Sequence, residues 1–75
     1  MNSIAKQIIQ DSNTFEALSD NLYVRSLVED SNEIATVYYF DDGSHAKIFY
    51  DGAALAYVSD ENLGLILTFQ KTFTI

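Results

Sequence analysis

The sequence predicts an α+β fold: two short N-terminal helices packed on one face of a four- to five-stranded antiparallel β-meander. Three observations carry this. Apolar residues near the N-terminus recur at helical spacing behind capping residues. From about residue 22 onward, runs of β-branched and aromatic residues take over. Two Asp-Gly pairs, Asp42-Gly43 and Asp51-Gly52, stand between those runs as hairpin signals. The chain has 75 residues, which suits one small domain over 1–75.

The first helix is expected over 3–10. Ser3 can cap it, and Ile4, Ile8 and Ile9 form a short apolar stripe. Asp11-Ser12-Asn13 interrupts the pattern. Asn13 followed by Glu16 resembles a capping box, with Asn in the Ser/Thr place. A second helix from Thr14 to about Ser19 would present Phe15, Leu18 and Leu22 on one face. At about 100° per residue, Val24, Leu27 and Val28 fall on the opposite side, so the spacing predicts a strand over 22–30 instead.

The remaining strands follow from composition and turns. Residues 34–41 are β-branched and aromatic. A strand at 44–50 lies between the two Asp-Gly turns, and a fourth runs over 53–58. Ala53, Ala54, Leu55 and Ala56 also suit a helix, but the preceding Asp-Gly favours a hairpin. Ser59-Asp60-Glu61-Asn62 is a turn cluster. The last segment alternates, with Leu65, Leu67, Phe69, Phe73 and Ile75 on one side.

Two-residue turns fix a register. A Ser31-Asn32 turn pairs Val28 with Ala35. The Asp42-Gly43 turn pairs Tyr38 with Lys47, and the Asp51-Gly52 turn pairs Ile48 with Leu55. One face then collects Leu22, Val24, Val28, Val37, Tyr39, Ile48, Tyr50, Leu55 and Tyr57, and is expected to form the core. The odd-numbered residues of the last strand join it if the connection after Tyr57 has odd length or a bulge falls at Gly64. The opposite face holds Tyr23, Arg25, Leu27, Ile34, Thr36, Tyr38, Phe40, His45, Lys47 and Phe49. Two helices leave nothing to cover it. Its aromatic residues Tyr23, Tyr38, Phe40 and Phe49 are therefore the expected partner-binding anchors, although cross-strand aromatic pairs also stabilise a sheet by themselves.

Composition bounds the function. Half the chain is apolar (48%), mean hydropathy is near zero, and five Tyr and five Phe are present, so the chain is expected to fold. Cysteine is absent, which excludes disulfides and thiolate metal sites. No apolar run reaches membrane-spanning length. The N-terminus carries only Lys6 and no long apolar block, so neither a signal peptide nor a membrane partner is expected, and the expected location is cytoplasmic. Eleven acids against four bases give a net charge of −7. Aromatic residues interleaved with bases on a sheet suit single-stranded nucleic acid. Two bases within so acidic a molecule do not, and no direct nucleic-acid contact is expected.

Catalytic signatures are missing. There is no Walker loop, dinucleotide fingerprint or paired-His helix. His45 is the single histidine, and the adjacent Ser44 would point to the other face of an extended strand. Asp41-Asp42-Gly43 lacks the spaced ligands of a calcium loop. No catalytic residue, metal site or cofactor is expected, and the chain is read as a non-enzyme.

The acids cluster instead. In a meander, alternate turns share an end, which gathers Asp41, Asp42, Asp60 and Glu61, with Asp20 at the start of the first strand. Turn-forming and solubility explain such residues individually. Together they form a rim that could dock on a basic protein surface by competing for its Lys and Arg groups. In composition only, this is similar to the small acidic inhibitors and nucleic-acid mimics that many phages encode. The expected function is a protein-binding module, plausible as an inhibitor, whose partner is a protein with a basic surface. The alternative is a structural homo-oligomer, a homodimer for instance, using the aromatic face or the C-terminal edge strand. A third reading is a small-ligand or weak enzyme role, which requires a pocket between helices and sheet lined by Tyr39, Tyr50 and Tyr57.

Overall fold

The computed structural model describes residues 2–75. It contains α1 (Ile4–Asp11), α2 (Phe15–Arg25), β1 (Val28–Ser31), β2 (Ala35–Tyr39), β3 (His45–Phe49), β4 (Ala53–Asp60) and β5 (Gly64–Thr72). The strands form one antiparallel sheet in chain order, β1-β2-β3-β4-β5. Both helices cover one face of it, as the sequence predicts. Residues 53–58 are strand, not helix.

The N–H groups of Ile4, Ala5 and Lys6, the first three residues of α1, all find partners. An α-helix starts with four N–H groups that lack an internal partner. Here Ile4 N–H donates to Asp42 Oδ2 (2.8 Å) and Ala5 N–H to Ser44 Oγ (3.2 Å). Lys6 N–H donates to Ser3 Oγ (3.2 Å), and Gln7 N–H makes the first bond of the helix ladder, to the Ser3 carbonyl (2.9 Å). Two of these three capping partners come from the β2–β3 turn, so this cap is also a tertiary clamp. At the other end, Ser12 caps α1, and its carbonyl accepts from Lys71 Nζ on β5 (2.8 Å).

Helix α2 differs from expectation in two ways. Its cap is Thr14, whose Oγ1 accepts from Ala17 N–H (3.1 Å), rather than Asn13. It also continues to Arg25, where a strand over 22–30 was expected. Leu18 and Leu22 are fully buried one turn apart, and Phe15 packs beside them. Tyr23 and Val24 point to solvent, 67% and 78% exposed. The expectation assumed that every large apolar residue must be covered; a helix buried along so narrow a stripe breaks that assumption. β1 is correspondingly displaced, and the β1–β2 turn centres on Glu33-Ile34, with Asn32 Oδ1 accepting from Ile34 and Ala35 N–H (2.8 and 3.0 Å).

Both Asp-Gly turns form hairpins, with three-residue loops instead of two-residue ones. Gly43 N–H donates to the Phe40 carbonyl (3.2 Å) and Gly52 N–H to the Phe49 carbonyl (3.0 Å). Each glycine has positive φ, +84° and +104°, the arrangement of a type I turn closed by a glycine bulge. The extra residue shifts each register by one: Val37, not Tyr38, lies opposite Lys47, and Lys47 opposite Leu55. A one-residue slip turns a strand over. Two slips in succession leave β3 as expected and invert β2 and β4.

The core is therefore corrected. Its sheet side is Thr36, Tyr38 and Phe40 on β2, Ala46 and Ile48 on β3, and Ala54 and Ala56 on β4. Against it pack Ala5, Ile8 and Ile9 of α1 and Leu18 and Leu22 of α2, with Phe73. Alanines 46, 54 and 56 are wholly buried and make a low strip against which α1 lies close to the strands. Of the residues expected in the core, Leu22 and Ile48 are there. Val24, Val28, Tyr39 and Tyr50 are exposed, and Val37, Leu55 and Tyr57 are half-buried on the uncovered face.

β5 changes face midway. A bulge lies opposite Ala56/Tyr57, where Ala56 pairs with Phe69 and Tyr57 with Leu67, leaving Thr68 as the extra residue. Leu65 and Leu67 consequently share the uncovered face with Tyr57, while Phe69 and Phe73 turn to the core. Of the two alternatives, an odd-length connection after Tyr57 or a bulge at Gly64, the strand uses a bulge, and it falls four residues later, at Thr68.

Candidate functional site

The uncovered face of the sheet is the candidate site. Its first row crosses all five strands: Val28, Tyr39, His45, Tyr57 and Leu67. The second is Asp30, Val37, Lys47, Leu55 and Gln70. No helix covers these rows among the described residues. Val28, Tyr39 and Leu67 remain 57%, 40% and 46% exposed, and Leu65 beside them 59%. Scattered exposed apolar residues are ordinary in a small protein; a contiguous row across a sheet is not.

A depression of about 240 Å³ lies in this face, lined by Val37, Tyr39, His45, Lys47, Tyr57 and Leu65. His45 is held between two tyrosine rings. Tyr39 lies 5.3 Å away, tilted by 42°, and Tyr57 lies 5.9 Å away, near-parallel at 26°. The stack leaves His45 9% exposed, no protein hydrogen bond to its nitrogens is formed among the described residues, and those nitrogens are not sealed from solvent. Lys47 occupies the middle of β3, the central strand. Its ammonium lies 5.2 Å from the centroid of the Phe49 ring. Among the described residues it has no carboxylate partner, so its charge is held only by the ring and by solvent.

The acidic turns border the first row. Ser59 Oγ donates to the Gly43 carbonyl (3.4 Å), which joins the β2–β3 and β4–β5 turns at one end, as the meander requires. Their carboxylates differ in what they do. Asp42 accepts from Ile4 N–H, Ser44 N–H (2.9 Å) and Ser44 Oγ–H (2.5 Å). Burial pushes its carboxyl up, but these hydrogen bonds outweigh that and hold it below the ordinary carboxylate value. Asp60 Oδ1 accepts from Leu63 N–H (2.9 Å) and Asn62 N–H (2.8 Å), and those two backbone donors lower it as well. Both carboxylates thus shape their turns. Asp41 and Glu61 have exposed side chains without such partners among the described residues.

The expected site residues are therefore divided. Asp41, Asp42, Asp60 and Glu61 do come to one end. Asp20 does not start a strand; it is exposed in the middle of α2. Phe49 is half-buried on the uncovered face. Tyr38 and Phe40 were expected there, but the register slip places them in the core, 9% and 4% exposed. Burial, then the nearby Glu29 and Tyr50, raises the Tyr38 phenol above its ordinary value. Tyr23 is exposed on α2, not on the sheet.

Sequence reasoning missed Tyr39, Tyr57 and Leu67 as surface residues because it put them in the core. The signal that could have found them is the alanine pattern at 46, 54 and 56. Small residues at alternate positions mark the side on which a helix sits close. The expected pocket of Tyr39, Tyr50 and Tyr57 is split, because Tyr50 faces the helix side and its hydroxyl reaches the Asn32 carbonyl (3.0 Å). Among the described residues no three of His, Cys, Asp and Glu converge as a metal site. Among the described residues no helix is long and apolar enough to cross a membrane. No protein-family model, curated protein or solved structure matches the chain.

Proposed function

We propose that this protein is a non-catalytic binding module that docks on another protein. The docking surface is the first row of the uncovered face together with the free acids Asp41 and Glu61 beside it. The observation that supports this is the row across all five strands, with exposed Val28, Tyr39 and Leu67 about the stacked His45 and Tyr57, left bare by helices that lie on the other side. Aromatic and aliphatic groups at the centre of such a surface supply most binding energy, and charges at its edge set encounter rate and selectivity. With a net charge of −7, the edge favours a partner with Lys and Arg around an apolar patch. If those groups normally grip phosphates, the module acts as an inhibitor by occupying them.

The test is affinity capture from nuclease-treated lysate of the source cells at low salt. The expected result is one basic protein, released at moderate salt, and lost when the bait carries Leu67→Asp. Retention of the same set of proteins by wild type and by Leu67→Asp would refute the reading.

A second reading is self-assembly through β5. Its outer edge is nine residues long, with Lys71 as its single charge, and that ammonium is turned back onto Ser12. Long unguarded edges invite strand pairing, whereas the bulge at Thr68 twists this one away. Light scattering over a concentration series decides between them: growth of the particle with concentration favours assembly.

A further inference from the structure

The central cation of the uncovered face defines what must lie opposite it. Lys47 is at the middle of the middle strand, surrounded by Val37, Leu55 and the stacked Tyr39–His45–Tyr57 group. The only acid in the two rows is Asp30, on the edge strand β1, separated from Lys47 by β2. The remaining acids near this face are in the turns. The surface is thus a cationic centre in an apolar field with an acidic border.

We infer that the depression lined by Tyr39, His45, Lys47 and Tyr57 is a seat for a carboxylate carried on an apolar surface of the protein partner. This rests on the docking reading above and specifies its partner: an acidic group at the centre, apolar residues around it and basic residues at the edge. Charge complementarity carries the choice of occupant. An unpaired ammonium covered by a purely apolar partner would lose its hydration without replacement. A facing carboxylate restores it, and the unbonded imidazole edge of His45 and the Tyr39 and Tyr57 rings offer the polar and aromatic contacts beside it.

A second copy of the chain does not meet this requirement. Two copies laid face to face about a two-fold axis, with all five strands covered, set β3 on β3. Lys47 of each would then stand against Lys47 of the other, a like-charge contact at the centre of the interface.

The experiment is an amide-resolved NMR titration of the intact protein with N-acetyl-phenylalanine and, in parallel, with its uncharged amide. The expected result is shifts centred on Tyr39, His45, Lys47 and Tyr57, with the acid bound about threefold more tightly than the amide, the fold-change of a part-exposed ion pair. Lys47→Met should abolish that preference, so that acid and amide bind with equal affinity. Equal binding of acid and amide overturns the carboxylate seat but leaves the docking face standing. Binding of neither probe at this face also overturns the seat. Concentration-dependent dimers in which this face is buried would overturn both the seat and the docking of a different partner.

Discussion

Replacing Asp42 with alanine removes one of the two links between α1 and the β2–β3 turn. The wild-type carboxylate takes the Ile4 N–H at 2.8 Å with one oxygen and both the Ser44 N–H and hydroxyl with the other. Loss of a side-chain cap on a helix costs about 1 kcal/mol. Loss of a negative charge at the helix N-terminus adds about 0.3–1 kcal/mol. Freeing the Ser44 hydroxyl, which also serves Ala5 N–H, weakens a second first-turn bond. The sum is about 1.5–2.5 kcal/mol, against a total stability of about 4–11 kcal/mol for a chain of this length. For a domain this small the thermal midpoint should fall by about 10 °C. Urea denaturation followed by far-ultraviolet circular dichroism measures it directly.

The pH dependence is a second reading of the same contact. The folded carboxyl titrates below its ordinary value of 3.8. Its contribution is therefore complete above that ordinary value and is lost as pH falls through the lower folded value. Asp42→Asn, which keeps one acceptor and no charge, should flatten the wild-type loss of stability below about pH 4. If Asp42→Ala lies within about 0.5 kcal/mol of wild type, the range of neutral surface changes, the clamp is not a stabilising contact. If the acid limb is unchanged in Asp42→Asn, the linkage argument fails.

Other substitutions test neighbouring parts of the structure. Gly52→Ala would place a Cβ 2.2 Å from the Phe73 carbonyl oxygen at a φ of +104°, so it should destabilise well beyond the cost of about 1 kcal/mol for the backbone conformation alone. Gly43→Ala, with open space around the new Cβ, should show only that smaller cost, and thermal melts of the two variants give the comparison. Ala56→Leu overfills the fully buried strip beneath the helices and should lower stability by about 1–3 kcal/mol in urea. Asp41→Lys with Glu61→Lys should leave the melt within about 0.5 kcal/mol of wild type while slowing association with a basic partner and flattening its salt dependence. Stopped-flow mixing at two ionic strengths measures the latter. Asp42 and Asp60 are unsuitable for that experiment, because their carboxylates hold turns together.

Much of the architecture is local chemistry and is readable in the chain. Ser3 ahead of Ile4, Ile8 and Ile9 specifies a capped helix, and polar residues ahead of Phe15 and Leu18 a second one, although its cap is Thr14 and not the expected Asn13. Gly43 and Gly52 specify where the sheet turns back, because a positive φ suits glycine and few other residues. The order of elements, the antiparallel sheet and the gathering of the acidic turns follow from these signals together.

Tertiary structure decided which side of each strand is buried. An Asp-Gly pair can close a two-residue or a three-residue loop, and the two choices differ by one residue, which reverses a strand. Tyr38 and Tyr39 are adjacent and chemically identical, so their own sequence cannot say which meets the helices. The alanine strip decides it. Only with Ala46, Ala54 and Ala56 facing inward can α1 approach the sheet closely enough for Asp42 and Ser44 to reach its first turn. The same choice puts Tyr39, Tyr57 and Leu67 on the surface and makes the site. What sequence alone determines here is the set of elements and their turns. The register, and with it the functional face, is set by the close packing of one short helix on three alanines.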